Sequence, residues 1–568
     1  MVQHRAALLL SAAALTLVAA CAPASEGQDP RSNGQSPPIR KTLRLGSARE
    51  PIAGIAVFAG GGEALQRHTW IFHAGLTAYD ADYNLQPRLA SKVPSLADGD
   101  WIVLPDGGME LTWKLRPYLK WHDGTPLNAE DFVLGIEIAK DPALPVVASG
   151  GIALVKEAVA TDAVTLVVRW SAPYFGANVG TPAEFPAVPR HIVGDLYRQG
   201  DKDALVNNPY WATEFVGLGP YKLGDWALGS YTEGLAFDDY VLGRPKIDRV
   251  VVRYFGGDVT TMLAALLSGE IDLVMGAFKD EDIGTLKSAW EPSGGGTIVE
   301  ALNEIIMVTL QYRDTTLPWA RDVRVRQALM HLTDRQALAD TFSPTGGPAD
   351  LYLTRNDPIL RTVEQRGFAR YPYDPARAER LLADAGWVRG PEGAFQAGTG
   401  DRFRLQVRVV SASQSNVQQT TALADLWKRS GLESDVFVIP FNTQNSEAKA
   451  MSPAYWQSDA IQPQFFESFT TAQMQTPENN WRGRNMTGYS NTEFNRLYEQ
   501  YSSALETTQR QSLYADLVKR VADEALLLPL YYTTGTSYTS FRRGIRGPGA
   551  VMPIQKAQSW NIHEWEMD

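Results

Sequence analysis

Apolar and polar positions along this chain follow two rhythms. Some stretches alternate with period two, which predicts half-buried strands. Others repeat at i, i+3, i+4 and i+7, which predicts amphipathic helices. Residues 41–45 form the first predicted strand, and residues 68–76 a helix leading into Thr77-Ala78-Tyr79. Trp113, Leu115 and then residues 118–121 read as strand, Asp123-Gly124 turns the chain, and Asn128 caps a helix with Asp131 in its first turn. Residues 165–169 are a β-branched strand, residues 217–226 a Gly-Pro turn into strand, and residues 244–253 a further strand. Helical spacing over residues 259–268 returns to strand at 269–274, the rhythm of a mixed α/β sheet.

In the second half, residues 300–312 and 526–532 are long apolar strands, the latter with a central Pro529. Between them Asp374, Pro375 and Gly386 mark the start and end of one helix. Thr333-x-x-Gln336 and Ser490-x-x-Glu493 have capping-box form. Residues 402–410 and 435–439 are predicted strands, and residues 494–505 and 509–522 two successive helices.

A chain of 568 residues exceeds one core, so two or three domains are expected. Its 44% hydrophobic and 21% charged residues are ordinary for a globular protein. The net charge of −11 argues against an extended nucleic-acid surface, which needs clustered cations. The N-terminus adds an address. His4 and Arg5 precede an apolar run over residues 6–20, short for a membrane span and suited to a signal-peptide core. It ends in Leu17-Val18-Ala19-Ala20-Cys21, similar to a bacterial lipobox, in which Cys21 would carry lipid. As the chain's single cysteine, Cys21 permits no internal disulfide. Residues 22–40 are rich in Pro, Ser, Gly, Gln and Asn and predict a flexible tether.

Motifs for catalysis are missing from the sequence. It holds no His-Glu-x-x-His, no cysteine pair for zinc and no Gly-x-Ser-x-Gly elbow. His122-Asp123 reads as a structural turn, and His191 has no second His at ligand spacing. The loop Gly60-Gly61-Gly62-Glu63 lacks the Gly-Lys-Ser/Thr that would make it a nucleotide cradle. A triad or carboxylate pair assembled from distant residues, as in a secreted hydrolase, stays open. The segment from Tyr455 to Phe466 holds Trp456, Asp459 and Pro463, and reads unaided as a turn with a capping Asp and core aromatics.

The run Trp113-x-Leu115-Arg116 … His122-Asp123-Gly124-x-Pro126-x-x-Ala129-x-Asp131 resembles the signature of the family 5 extracellular solute-binding proteins of ABC importers, which take peptides or nickel. Gly75-Leu76, Gly217-x-Gly219-Pro220-Tyr221, residues 322–329, the Asp374 helix and residues 489–494 resemble further landmarks, with Leu218 replacing the family's usual Thr. The resemblance implies an α/β, two-lobed periplasmic-binding-protein-like fold of class II type with an inserted strand-rich subdomain. Its expected division is signal peptide 1–20, tether 21–40, lobe I over 41–86, 214–306 and 533–568, insertion 87–213, and lobe II 307–532. Residues 300–312 and 526–532 are the expected crossings between lobes.

The segment at 456–466 also resembles the family's Trp-x-x-Asp-x-x-x-Pro-x-x-Phe stretch, although Ala460-Ile461-Gln462 is less polar than usual. That resemblance places Asp459 where peptide-binding members receive the ligand ammonium. It puts the backbone of Tyr455, Trp456, Gln457 and Ser458 beside the ligand, and Gly61, Gly62 and Glu63 on the cleft. Residues 481–489 are expected near the cleft as well, where Arg482 or Arg484 could receive a ligand carboxylate, a solvated loop being the plainer reading. The implied protein is a monomeric, non-enzymatic, lipid-anchored binder on the outer side of the cell membrane, without cofactor or metal. Its expected partners are a peptide or other small solute and an ABC permease with its ATPases. An oligosaccharide or metal-chelate ligand remains the alternative within the same fold, and a sensor role is a further one.

Overall fold

In the computed structural model the described residues are 41–568, apart from 52, 54–62, 82–83, 147–150, 303, 356, 358, 412–413, 535–537 and 550–556. Three sheets organise them.

The first is seven-stranded, in the order Gly296–Val299, Thr539–Arg542, Leu273–Met275, Thr42–Ser47, Arg249–Tyr254, Tyr231–Ala236, Tyr221–Ala227. Thr42–Ser47 runs parallel to both of its neighbours, as the β-α-β rhythm around the helix Val259–Ser268 predicts. Alternation sends Leu43, Leu45, Val250 and Val252 into one core with Phe72, Tyr221 and Trp565.

The second sheet is antiparallel and four-stranded: Trp101–Val103, Met109–Lys114, Thr165–Trp170, Val155–Asp162. Met109, Leu111 and Trp113 alternate into its core. The signature run differs here from the alternation expected. Its strand ends at Lys114, and Tyr118 is 94% exposed at a positive φ of 63°, a turn conformation incompatible with continued pairing. Asp131 does more than face a helix dipole. Its buried carboxylate accepts from the backbone N–H of Asn128 (2.9 Å) and Arg190 (2.9 Å) and from Trp121 Nε1 (3.2 Å). His122 Nδ1 accepts from Gly217 N–H at 3.1 Å, so its Nε2–H donates to Gly219 O at 3.0 Å. Asp123 turns the chain by accepting from Thr125 N–H and meets His191 Nε2 at 2.7 Å. The dipeptide is therefore a structural clamp. It holds the Gly217-Leu218-Gly219 segment against the end of the helix Glu63–Phe72, where a Cβ on Gly217 would lie 1.9 Å from Phe72 O.

The third sheet is five-stranded: Glu433–Ile439, Arg404–Val410, Ala454–Ala460, Glu304–Leu310, Leu527–Thr533. Every residue of Glu304–Leu310 is buried, because partners flank it on both sides. Pro529 lies in an outer strand beside a register shift at Ile306/Met307, a position that tolerates its missing N–H. Gly296–Val299 and Glu304–Leu310 are consecutive in the chain yet belong to different sheets, as do Leu527–Thr533 and Thr539–Arg542. In each sheet the two strands concerned are neighbours, so the chain passes between the halves twice, side by side. Two α/β halves joined in this way, with the four-stranded sheet inserted, form the framework for the site.

Candidate functional site

The strand Ala454–Ala460 has two distinct faces, set by the period of two. Trp456 is 3% exposed and packs with Ile306, Val308 and Leu310 in the larger core. On that same face Ser458 Oγ donates to Glu304 Oε2 at 2.8 Å. Tyr455, Gln457 and Asp459 face the other way, beside Thr309, Met307 and Ile305 of the paired strand. The Trp456 side chain belongs to the core, which leaves only its backbone for the expected ligand contact, whereas Gln457 and Asp459 reach a cavity of about 310 Å³.

That cavity is closed by two segments following the strand. The turn Pro463–Phe469 contributes Phe465, Ser468 and Phe469, with Gln462 just before it. A loop further on contributes Arg484, Met486 and Thr487, and Thr309 lies on the floor. Phe465 is fixed by Tyr352, whose ring stacks on it at 3.9 Å and whose hydroxyl donates to Ala460 O at 2.9 Å. Burial first, and then the Asp459 charge, hold the Tyr352 hydroxyl well above its ordinary pKa. Tyr455 is likewise raised, to about 12, by burial.

One edge of the strand differs from the other. Ala454–Ala460 pairs with Glu304–Leu310 at all seven positions, but with Arg404–Val410 only at Ala454 and Tyr455. Among the described residues, no strand pairs with the second edge from Trp456 onward. An unpaired edge is a template for another extended chain.

The loop holding Arg484 is built around Asn485, which is fully buried. Its Nδ2 donates to Thr470 O (2.9 Å) and Tyr489 O (2.8 Å), while Oδ1 accepts from Thr487 Oγ1 (2.9 Å) and Gly488 N–H (2.8 Å). Arg313 adds Nη1–H to Met486 O at 2.7 Å. Arg484 itself meets Glu467 through Nε at 3.1 Å. Phe465 and Phe469 are not singled out by the sequence, whereas Met486 and Thr487 fall within the 481–489 stretch expected near the cleft; Pro463 signals that the chain turns back over the strand.

Of the other expected site residues, Gly61, Gly62 and Cys21 lie outside the described residues, and Glu63 opens the helix Glu63–Phe72. Among the described residues no helix is long and apolar enough to cross a membrane. No group of three or more His, Cys, Asp or Glu among them is arranged to hold a metal ion.

Two α/β halves, a double crossing and a cavity beside an unpaired strand edge define a two-lobed periplasmic-binding-protein-like fold. The chain belongs to the bacterial extracellular solute-binding proteins, family 5, whose model matches residues 85–475. It is 27% identical over 322 residues to a Brucella ovis protein whose name assigns it provisionally to ABC transporter peptide binding. That match spans 56% of each chain. It is 21% identical to the oligopeptide-binding protein AppA of Bacillus subtilis, over 98% of this chain and 97% of that one. Among solved structures, an oligopeptide-binding protein from Thermus thermophilus complexed with a pentapeptide shares the fold at a TM-score of 0.74 and 21% identity, covering 93% and 96% of the two chains. NikZ from Campylobacter jejuni, complexed with Ni(L-His), shares it at a TM-score of 0.74 and 19% identity, covering 93% and 99%.

Proposed function

We propose that this chain captures peptides with a free amino terminus and delivers them to an ABC permease. The observation that carries this reading is the position of Asp459. It lines the cavity at the end of the strand segment whose edge is open to backbone pairing. A peptide ammonium drawn from water needs a carboxylate in place of its hydration, and a charge-assisted bond of that kind contributes roughly 1.5–3 kcal/mol. Main-chain pairing along Gln457 to Ala460 adds affinity without fixing the ligand's sequence. The relatives named for peptide binding support the same ligand class. Gly61, Gly62 and Glu63 are proposed to line the facing side of the cleft. Binding drives closure because only the closed form touches the ligand from both lobes. The protein acts without catalysis, as a monomer outside the membrane, and hands its cargo to a permease driven by ATPases.

The test is calorimetric titration of wild type and Asp459→Asn with matched free and N-acetylated peptides. Asp459→Asn should weaken free-amine ligands by about tenfold or more and leave acetylated ones nearly unchanged. Equal losses for both would refute the ammonium role. Lipid on Cys21 is the proposed tether, so Cys21→Ser should move the protein from membrane to soluble fractions. Continued membrane retention would remove the anchor.

A further inference from the structure

Arg313 follows the strand Glu304–Leu310, and its guanidinium reaches into the loop that walls the cavity beside Asp459. Nη1 donates to Met486 O at 2.7 Å and Ala450 O at 2.8 Å, and Nη2 to Gln475 O at 2.7 Å and Asn485 O at 3.3 Å. From this meeting of one side chain with four carbonyls we propose that Arg313 is a positioning residue. It holds the Met486-Thr487 wall at a set distance from Asp459, and so decides the size of first side chain that a bound peptide can carry. The proposal rests on the reading of this cavity as the place that receives a peptide's amino terminus, and adds the residue that sets its width.

Three observations carry it. First, the fork joins parts of the chain that are far apart in sequence. Ala450 ends the helix Ser446–Ala450, Gln475 precedes the turn Pro477–Asn479, and Asn485 and Met486 lie beyond that turn. The neighbouring Tyr312 N–H donates to Thr487 O at 2.8 Å, so two consecutive residues hold the two wall residues. Both leave the strand on which Asp459 is paired, through Ile305. Floor and wall are therefore tied together through residues 305–313, independently of the long connection over 460–486.

Second, the route and the cover of this side chain are shaped for it. Gly488 holds a positive φ of 72°, and an added Cβ there would lie 2.2 Å from Arg313 Cγ. On the outer side the Trp481 ring lies 5.8 Å from the guanidinium carbon. Asn480 and Trp481 are both left-handed, with φ of 54° and 57°, a conformation that bulky side chains rarely adopt. The turn that accepts this strain sets the indole over Arg313.

Third, the charge is spent on carbonyls alone. Burial lowers the Arg313 pKa from its ordinary value, and among the described residues no carboxylate pairs with it. A partly buried cation is costly to desolvate, and here backbone oxygens replace its water. A lysine would bring three donors on one point charge, whereas the four acceptors need the planar fork. With Met486 fixed in this way opposite Phe465 and Phe469, the width of the cavity does not follow the ligand.

Titrations of the full chain with Gly-Ala-Ala-amide, Leu-Ala-Ala-amide, Trp-Ala-Ala-amide and N-acetylated Leu-Ala-Ala-amide test this. In wild type the three free-amine peptides should span about tenfold or more in affinity. Arg313→Ala and Arg313→Lys should each compress that span to about threefold or less. Added methylguanidinium should widen it again in Arg313→Ala, and methylammonium at the same concentration should not. Arg313→Lys keeps the charge and the stem, so it carries the readout if Arg313→Ala does not fold. A wild-type span below about threefold overturns the proposal, and so does a span that survives in both variants, even with every peptide weakened equally. The ammonium reading is tested separately by the free and acetylated Leu peptides in wild type. Equal affinity for those two refutes the role of Asp459 and leaves the span to decide on Arg313. If no peptide binds at all, both readings fall together.

Discussion

His68, His73 and His563 are held at about 3, and His122 at about 4, chiefly by burial. Each sits among groups that favour the neutral ring. His68 lies against Phe72 and Trp226, and His73 beside Trp121 and Phe215. His122 uses Nδ1 as an acceptor, a role that protonation would end, and His563 faces Arg88 Nη1 at 3.3 Å. The folded values lie below the unfolded value of 6.5, so the unfolded chain binds more protons in the window between them. Stability owed to these rings is fully present above pH 6.5 and is lost as pH falls toward 4. Urea unfolding followed between pH 7.5 and 4.5 should show a midpoint that declines steadily below 6.5, with about four protons taken up by these rings per molecule unfolded near pH 5. A midpoint flat across that range would contradict the burial of these residues.

At the scale of elements, the strand Ala454–Ala460 shows what a local pattern can and cannot convey. Its sequence announces a strand with an Asp and a Trp three residues apart, and resemblance alone marks the Asp carboxylate and the Trp backbone as ligand contacts. The period of two places them on opposite faces, and the fully buried neighbours Val308 and Leu310 draw Trp456 into the core. Burying a side chain of that size contributes several kcal/mol, which ligand stacking would forgo. Helix starts tell a similar story. Capping boxes are expected at Thr333 and Ser490, but the N-caps are one residue on, Asp334 and Asn491, whose side chains accept from Ala337 N–H and Phe494 N–H. Asp and Asn compete with a preceding Thr or Ser for the same role, and tertiary packing chooses between them. Where cues converge, the reading was sharp. Val259–Ser268 matches the expected bounds, and Asp374 caps the helix Pro375–Asp384 as its punctuation foretold. The helix expected over 68–76 instead spans Glu63–Phe72. Gly217 and Gly219 press against the backbone of residues 71–73, a long-range contact that no local pattern contains. Gln457, Asp459 and Arg484 are legible as candidate contacts, but their meeting in one cavity is not, for the same reason. Phe465, Arg484 and Met486 meet through turns of the chain, and their spacing in sequence carries no period.

For the molecule as a whole, the double crossing between the seven-stranded and five-stranded sheets is the feature on which the proposed closure depends. Two adjacent segments confine motion to a hinge-like path. The inserted sheet adds a contact away from that hinge. Phe175 N–H donates to Ser502 O at 3.0 Å, its ring lies 5.1 Å from that of Tyr501, and the Arg510 guanidinium sits 5.0 Å from its centroid. The insertion thus touches the helices Thr492–Ser503 and Thr507–Asp523, which flank the five-stranded sheet.

The measurement that tests the central claim most directly is native mass spectrometry of the full chain, incubated with an equimolar library of free-amine peptides and their N-acetylated counterparts. The account predicts adducts at free-amine peptide masses, lost on unfolding, with acetylated members retained at least about tenfold less. Equal retention of the two sets, or adducts of neither, would contradict a site built around Asp459 to receive a peptide's amino terminus.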